Sequence, residues 1–338
     1  MTGRVDQAVS QKPSRTTEGL LRLSAQAVVC YHADMAMEPS YLALHRQGKL
    51  AERAAEARQR EQACDLCARA CGVNRSLRLG GCRTGIRARL ASYGPHHGEE
   101  DPLRGRHGSG TVFFGWCNLR CQYCQNHDIS QAAAGGEVDS QELAAVMLAL
   151  QDRGCHNINL VSPSHVVAEI LEALVIACER GLRLPLVYNT GGYDSLTALM
   201  LLDGVIDIYM PDMKYSDRLV ARRLSKIGNY PQVNRAAVQE MHRQVGDLVL
   251  DEAGIATRGL LVRHLVLPGG LAGTSEVVRF LAKEISTNTY LNLMSQYRPA
   301  YHAHEHPPLD RQITPQEYSH ALRLAQEVGL HRLDGQGL

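Results

Sequence analysis

FFGWCNLRCQYCQNHDIS, residues 113–130, places Cys117, Cys121 and Cys124 in a C-x3-C-x2-C pattern directly after the apolar run TVFF at 111–114. Sulfur ligands at this spacing suit zinc or an iron–sulfur centre. A closed zinc site wants a fourth ligand, and His127, three residues past Cys124, supplies one on paper. An iron–sulfur cluster held by these thiolates alone leaves one iron open to an exogenous chelating ligand. TVFF reads as a strand. The cysteine loop then falls at its carboxyl end, where parallel α/β proteins build their sites.

From TVFF onward a strand–helix rhythm repeats. NINLV (157–161), LPLVYNT (184–190), VIDIYM (205–210), GLLVRHLVLPG (259–269) and TYLNLM (289–294) read as further strands. Between them lie helical stretches. One is expected from a capping box at Asp139 and Glu142, and others over 165–181, 195–204, 216–228, 231–246 and 275–286. Thr314, Pro315 and Glu317 start a last helix, and DLVLDE (247–252) adds a hairpin element. Such alternation implies parallel strands joined by right-handed crossovers. Periodicity leaves a doubly wound sheet and a barrel-like arc both open. No G-x-G-x-x-G turn follows the first strand, so a dinucleotide fold has no support. The polar, glycine-rich strand ends fit a barrel-like sheet with its site on the carboxyl face.

Composition narrows the class. The chain has 338 residues, 44% of them apolar, and a formal net charge of +1, which gives no reason to expect a nucleic-acid partner. No run of 18 apolar residues suggests a membrane span. The N-terminus lacks the apolar core of a signal peptide, so a cytoplasmic location is expected. There disulfides are disfavoured, and ten cysteines read better as metal ligands than as cross-links. Cys30, Cys155 and Cys178 stand alone and read as buried or incidental.

Seven cysteines fall in two groups. Ahead of the strand–helix repeat, residues 39–62 read as helix, and 92–110 as loop. Between them Cys64, Cys67, Cys71 and Cys82 follow a C-x2-C-x3-C-x10-C spacing in a segment poor in core residues. A metal would supply the missing cohesion. Four thiolates close a zinc shell or fully ligate an iron–sulfur cluster, so this second centre leaves no ligand position open. Arg69, Arg75, Arg83 and Arg87 offset its charge.

The first cysteine group, with Tyr123 just before its last member, resembles the C-x3-C-x-aromatic-C signature of the radical SAM superfamily. CDLCARACGVNR (64–75), GSGTVFF (108–114), CNLRCQYCQNHDIS (117–130), INLVSPSHVV (158–167), VYNTGGYDS (187–195), DIYMPDMKY (207–215) and RHLVLPG (263–269) resemble the pyruvate formate-lyase activating enzyme-like branch, in its PflX-type group. The resemblance runs from about Tyr41 to the final helix.

It implies an α/β fold: a partial (β/α)6 TIM-like barrel with an N-terminal helical and cysteine-rich extension. The expected division is a flexible N-terminus (1–38), the extension (39–106), a radical SAM core (107–300) and a His-rich loop with the C-terminal helix (301–338). The implied cofactors are a [4Fe-4S] cluster on Cys117, Cys121 and Cys124, and S-adenosylmethionine bound through its amino and carboxylate groups to the fourth iron. Reduction then yields methionine and a 5′-deoxyadenosyl radical that abstracts hydrogen from a protein or small molecule, as in a glycyl-radical enzyme activase. A reductant such as flavodoxin or ferredoxin is the implied partner.

Position by position, the resemblance sets Tyr123 near the adenine and Ser162 at the methionine amino group. There the Gly-Gly-Glu-type stretch of relatives is replaced by NLVSPSH (159–165). It sets Asn189 and Thr190 on the methionine or ribose, Asp212 and Lys214 after the fourth strand with Lys214 on the cofactor carboxylate, and Arg263 and His264 on a cofactor-facing segment. Plainer readings stand beside these: Asn189 and Asp212 as turn formers, Lys214 as a solvated charge, His264 as a satisfied core histidine. His96 and His97 read as substrate or metal contacts or as a solvated loop. YHAHEHPP (301–308) reads as a flexible loop near the barrel mouth, with Tyr297 and Arg298 before it. Two other classes fit the cysteines alone: a non-catalytic iron–sulfur electron carrier and a zinc-stabilised interaction protein.

Overall fold

The computed structural model describes residues 38–334, so the N-terminal stretch expected to be flexible, and Cys30 within it, lie outside the described residues. The strands are β1 (Ala88–His96), β2 (Ser109–Phe114), β3 (Gly136–Val138), β4 (Ile158–Val161), β5 (Leu186–Thr190), β6 (Ile208–Pro211), β7 (Val249–Leu250), β8 (Ala256–Leu265), β9 (Tyr290–Met294) and β10 (Leu333–Asp334). The helices are α1 (Tyr41–Arg46), α2 (Lys49–Arg60), α3 (Asp101–Arg104), α4 (His127–Gln131), α5 (Ser140–Asp152), α6 (Val167–Glu179), α7 (Leu196–Leu202), α8 (Arg218–Ser225), α9 (Tyr230–Val245), α10 (Thr274–Phe280) and α11 (Pro315–Glu327).

The strand order decides between the two closures that periodicity left open. β2, β4, β5, β6, β8 and β9 lie side by side in chain order, all parallel. A doubly wound sheet reverses its order at a switch point. This one does not, so it curves as an arc of a barrel. The arc is open: β1 and then β3 extend one edge antiparallel, and β10 extends the other parallel. The fold is therefore an α/β partial barrel with a mostly parallel sheet.

Helices cover the outer face. Val112, Leu160, Tyr188, Tyr209 and Leu260 point outward into one large core with α5, α6, α7 and α9. The Asp139 capping box forms as expected, with the Asp139 side chain accepting from the Glu142 amide and Glu142 reaching back. Inward-pointing Val187, Ile208, Met210 and Leu261 meet Leu103 of α3 in a separate cluster that plugs the barrel's amino end. Above that plug the inward positions turn polar, and the interior opens.

Residues 39–62 form the expected helices and pack into the main core. Leu50, Ala54 and Ala57 of α2 are buried in the same core as α6. Residues 92–110 differ from expectation. Ser92–His96 pairs antiparallel with β2, and α3 follows. Pro95 is tolerated in β1 because β3 reaches only Ala88–Leu90, leaving that edge unpaired.

Candidate active site

The cysteine loop follows β2 and is held by backbone and side-chain bonds rather than by regular structure. The Arg120 and Gln122 amides donate to the Ser225 and Leu224 carbonyls at 3.3 and 2.7 Å, docking the loop on the carboxyl end of α8. Asn118 Nδ2 donates to the Tyr193 carbonyl at 2.8 Å. Each sulfur has a polar neighbour: the Leu119 amide donates to Cys117 Sγ at 3.4 Å, Ser225 Oγ lies 3.0 Å from Cys121 Sγ, and Ser130 Oγ lies 3.2 Å from Cys124 Sγ. Burial pushes the Cys121 thiol up to about 12, against the pull of Lys214 and Ser225. A buried thiol of this kind becomes a thiolate ligand when a cation joins it.

All of Cys117, Cys121 and Cys124 line one cavity of about 860 Å³ at the carboxyl end of the parallel strands. Ser162, Asn189, Thr190, Asp212 and Lys214 line it too, so the structure gathers these expected positions around a single space. Ser162 takes a left-handed backbone (φ 60°), and its amide donates to the Asn189 carbonyl at 2.8 Å, which ties the ends of β4 and β5. Lys214 Nζ sits 2.5 Å from Asp212 Oδ2. Burial opposes its charge, but Asp212 and the neighbouring Cys121 hold Lys214 well above the ordinary lysine range. The Thr190 hydroxyl is already committed, donating to Asp194 Oδ2 at 2.7 Å.

Two expected contacts fall outside the cavity. His264 is fully buried. Its Nδ1 donates to the Met213 carbonyl at 2.6 Å, and its Nε2 lies 2.9 Å from Thr274 Oγ1. The cofactor role expected there is corrected: strand alternation turns His264 outward and Arg263 inward, and Arg263 lines the cavity. Tyr123 is buried edge-on to Tyr215 and Tyr297, among aromatic side chains that do not line the cavity. Tyr297, expected at the mouth, is buried in the same cluster, its hydroxyl donating to the Leu309 carbonyl at 2.6 Å. The histidine run packs beside the cysteine loop: the His302 amide donates to the Gln122 carbonyl at 2.9 Å, and Tyr301 stacks on His127. His97 is exposed, while His96 lines the cavity with Nδ1 3.3 Å from Glu99 Oε1.

Sequence reasoning missed an acidic wall of this cavity. Glu99 and Glu100, from the segment between β1 and α3, reach into the cavity. Arg263 holds Glu100 through Nε to Oε1 at 2.6 Å and Nη2 to Oε2 at 2.7 Å, and also binds Glu99. Asn292 Nδ2 donates to Glu100 Oε1 at 2.7 Å. Burial alone would raise Glu100, but Arg263 holds it below the usual carboxylate range. A signal was present: this acidic pair ends a long stretch, 66–98, without a single acidic residue.

Behind the cysteine loop lies the 64–82 segment. Arg69 Nε donates to the Asn118 carbonyl at 2.5 Å, Arg120 Nη2 to the Gly81 carbonyl at 2.8 Å, and Arg83 Nη1 to the Gln131 carbonyl at 2.9 Å. Cys64, Cys67 and Cys82 are buried and Cys71 is exposed. Burial works against the Cys71 thiolate, but amides of Gly81, Val73 and Cys71 itself hold that thiol below its ordinary value. Among the described residues, Asp65 Oδ1, Arg69 Nη2, Arg75 Nε, Arg75 Nη2 and Thr84 Oγ1 are buried here without a hydrogen-bond partner, with Arg75 Nη2 3.6 Å from Glu169 Oε1. Among the described residues, neither cysteine group is drawn together around a single-ion point.

The model of the Radical SAM superfamily matches residues 111–252, which run from the strand before the cysteine loop to the hairpin at β7. The chain is 32% identical over 277 residues to the uncharacterized protein MJ0674 of Methanocaldococcus jannaschii, covering 79% of this chain and 75% of that one. Among solved structures, native anSMEcpe with bound AdoMet overlays with a TM-score of 0.44 at 10% identity, covering 63% of this chain. This chain spans 57% of that structure's length. TYW1 with a lysine-pyruvate adduct bound overlays at 0.39, 11% identity, with 64% and 72% of the two chains covered. With the signature cysteines on the loop after the first parallel strand, inside the matched segment, this chain belongs to the radical SAM superfamily.

Proposed function

We propose that the protein is a radical SAM enzyme of the activating-enzyme-like branch, an oxidoreductase working in the cytoplasm. The observation that carries this is the convergence of Cys117, Cys121 and Cys124 with the ends of β4, β5 and β6 on one cavity. The residues fit the cluster: one buried and two half-buried thiols, each with an amide or hydroxyl neighbour, and a protonated Lys214 beside them. A [4Fe-4S] cluster held there, with S-adenosylmethionine on its open iron, supplies reductive sulfonium cleavage and hydrogen abstraction.

The chain's own groups position and shield. Ser225 and Ser130 donate to thiolates and lower the cost of burying their charge. Lys214, kept cationic by Asp212, offers a compact charge for the cofactor carboxylate. Ser162 and Asn189 present polar groups at adjoining strand ends, where the amino and ribose groups are to bind. Arg263, Glu99, Glu100 and Asn292 line the same cavity and are proposed to face the substrate. The activase role, with a protein glycine as substrate, rests on the resemblance of the strand-end motifs to that branch.

Cys64, Cys67, Cys71 and Cys82 are proposed to hold a second metal centre. Its support is the amide donors on Cys71 and the orphaned buried polar atoms packed around the segment. Four thiolates suit either an iron–sulfur cluster or a closed zinc site.

The test is anaerobic reconstitution. A reduced-cluster EPR signal should change on adding S-adenosylmethionine, and dithionite should then release 5′-deoxyadenosine and methionine. Stoichiometric zinc with no SAM-dependent spectral change would sink the enzyme reading. A glycyl-radical doublet on a partner protein would bear out the activase role.

A further inference from the structure

Residues 66–98 carry six arginines, Arg69, Arg75, Arg78, Arg83, Arg87 and Arg89, and no aspartate or glutamate, in a chain whose formal net charge is only +1. Arg75 is buried against Glu61, and Arg89 is bonded to the Gly135 carbonyl. Arg78, Arg83 and Arg87 stay exposed. Between them the segment shows apolar side chains to solvent: Leu77 is 82% exposed, Leu79 61% and Ile86 46%. A methyl built on Gly85 would touch Leu79 Cδ2 at 3.5 Å, so Leu79 and the Gly85–Ile86 turn form one patch. The face is tied to α2 by Arg58 Nη1, which donates to the Ile86 carbonyl at 2.9 Å, and its segment is tied to the cysteine loop by Arg69 to Asn118 and Arg120 to Gly81.

Exposed apolar side chains interleaved with arginines are the pattern of a protein-docking surface. Its charge selects an acidic partner and steers that partner's approach. We propose that the face formed by Leu77, Arg78, Leu79, Ile86 and Arg87 is where an acidic one-electron carrier protein docks to reduce the centre held by Cys117, Cys121 and Cys124. This rests on the radical SAM reading. The carrier loses one electron and that centre gains it, with no bond or proton changing hands. A nucleic acid is the poorer occupant. The patch is aliphatic at its middle, and the adjacent Trp116 is already stacked under the Arg83 guanidinium at 4.9 Å.

The test uses the reconstituted full chain, an acidic flavodoxin as probe, and two double variants, Arg78→Glu with Arg87→Glu and Leu77→Ala with Leu79→Ala. Among the described residues, none of these side chains makes a hydrogen bond or ion pair. Flavodoxin binding should weaken, and flavodoxin-driven SAM cleavage should slow, by about tenfold in both variants. The wild-type affinity should fall steeply with salt, while dithionite-driven cleavage stays unchanged. Unchanged flavodoxin-driven rates, or an equal loss with dithionite, overturn the proposal. So does an RNA oligonucleotide that binds the wild type and loses affinity in the variants while flavodoxin binding holds. A wild type that binds flavodoxin at this face yet cleaves no SAM with dithionite would fail the enzyme reading and leave the docking face standing.

Discussion

Arg263 and Glu100 form a two-bond ion pair inside the barrel, Nε to Oε1 at 2.6 Å and Nη2 to Oε2 at 2.7 Å, with the carboxylate buried and the guanidinium largely so. The pair fastens the segment after β1 to the carboxyl end of β8. Arg263→Ala would strand the Glu99 and Glu100 carboxylates with little water to solvate them. The expected loss is about 3–5 kcal/mol in urea unfolding. Arg263→Lys should recover only part of it, because an ammonium cannot match the two-pronged geometry. If Arg263→Ala unfolds like the wild type, the cavity is wetter than its burial implies.

Lys214 and Asp212 make a second pair beside it, with Asp212 bridged to Arg263 where the ends of β6 and β8 meet. Lys214→Gln removes the cation and leaves Asp212 facing the bound cofactor. SAM affinity should fall roughly tenfold, in line with one lost charge-assisted contact. Equilibrium dialysis on the reconstituted protein measures this without turnover. Unchanged affinity would mean that Lys214 serves only to neutralise Asp212.

Cys121→Ala addresses the two cysteine groups separately. The variant should lose SAM-dependent cleavage and the corresponding EPR change. Ser225 keeps its bond to Tyr215 at 2.8 Å, so the α8 end should survive. Metal bound at 64–82 should stay. Its loss along with the first centre would show that the arginine links between the segments bind them into one unit.

Much of this architecture was legible because local signals agreed with the global fold. The capping boxes at Asp139 and Thr314, and the short apolar runs, named the elements. The cysteine spacing named the loop. What sequence could not rank was which side of a strand faces the cavity when neighbours on both faces are polar. Arg263 and His264 are adjacent, and only the register of β8 against β9 turns one inward and the other into the core. The Glu99–Glu100 wall was lost for a similar reason: a glycine-rich stretch reads as loop until its pairing with β2 is seen.

Acid sensitivity follows from two buried histidines. Burial pulls His165 and His264 down to about 4, against backbone carbonyl bonds from Gly115 and Met213 that act the other way. Above about pH 6.5 both rings are neutral in the folded and the unfolded chain. Below it the unfolded chain takes up protons that the folded one refuses. Stability should therefore fall as pH drops from about 6.5 to about 4, with a slope approaching 1.4 kcal/mol per pH unit for each histidine. His264→Asn keeps a donor near the Met213 carbonyl and should shed one histidine's share of that slope, whatever it costs at neutral pH. An unchanged slope would place the acid sensitivity elsewhere.

The last prediction concerns Tyr230, which no motif singled out. Its hydroxyl lies 2.9 Å from the Gly191 carbonyl and 3.0 Å from the Asp212 carbonyl, and it accepts from the Lys214 amide at 3.1 Å. One phenol thus joins the ends of β5 and β6 where Asn189 and Lys214 emerge. It carries a single hydrogen, so it donates to one carbonyl at a time. Asn234 Nδ2 supports the second, at 2.9 Å from the Asp212 oxygen. Tyr230→Phe keeps the ring against Tyr193 and Tyr215 and removes only this junction. The expected cost is about 1–3 kcal/mol of stability, from the buried Lys214 amide left unpaired. Because Tyr230 acts through Lys214, SAM affinity should also drop, by less than in Lys214→Gln. If stability falls and SAM affinity does not, Tyr230 holds the core but leaves the cofactor groups where they are.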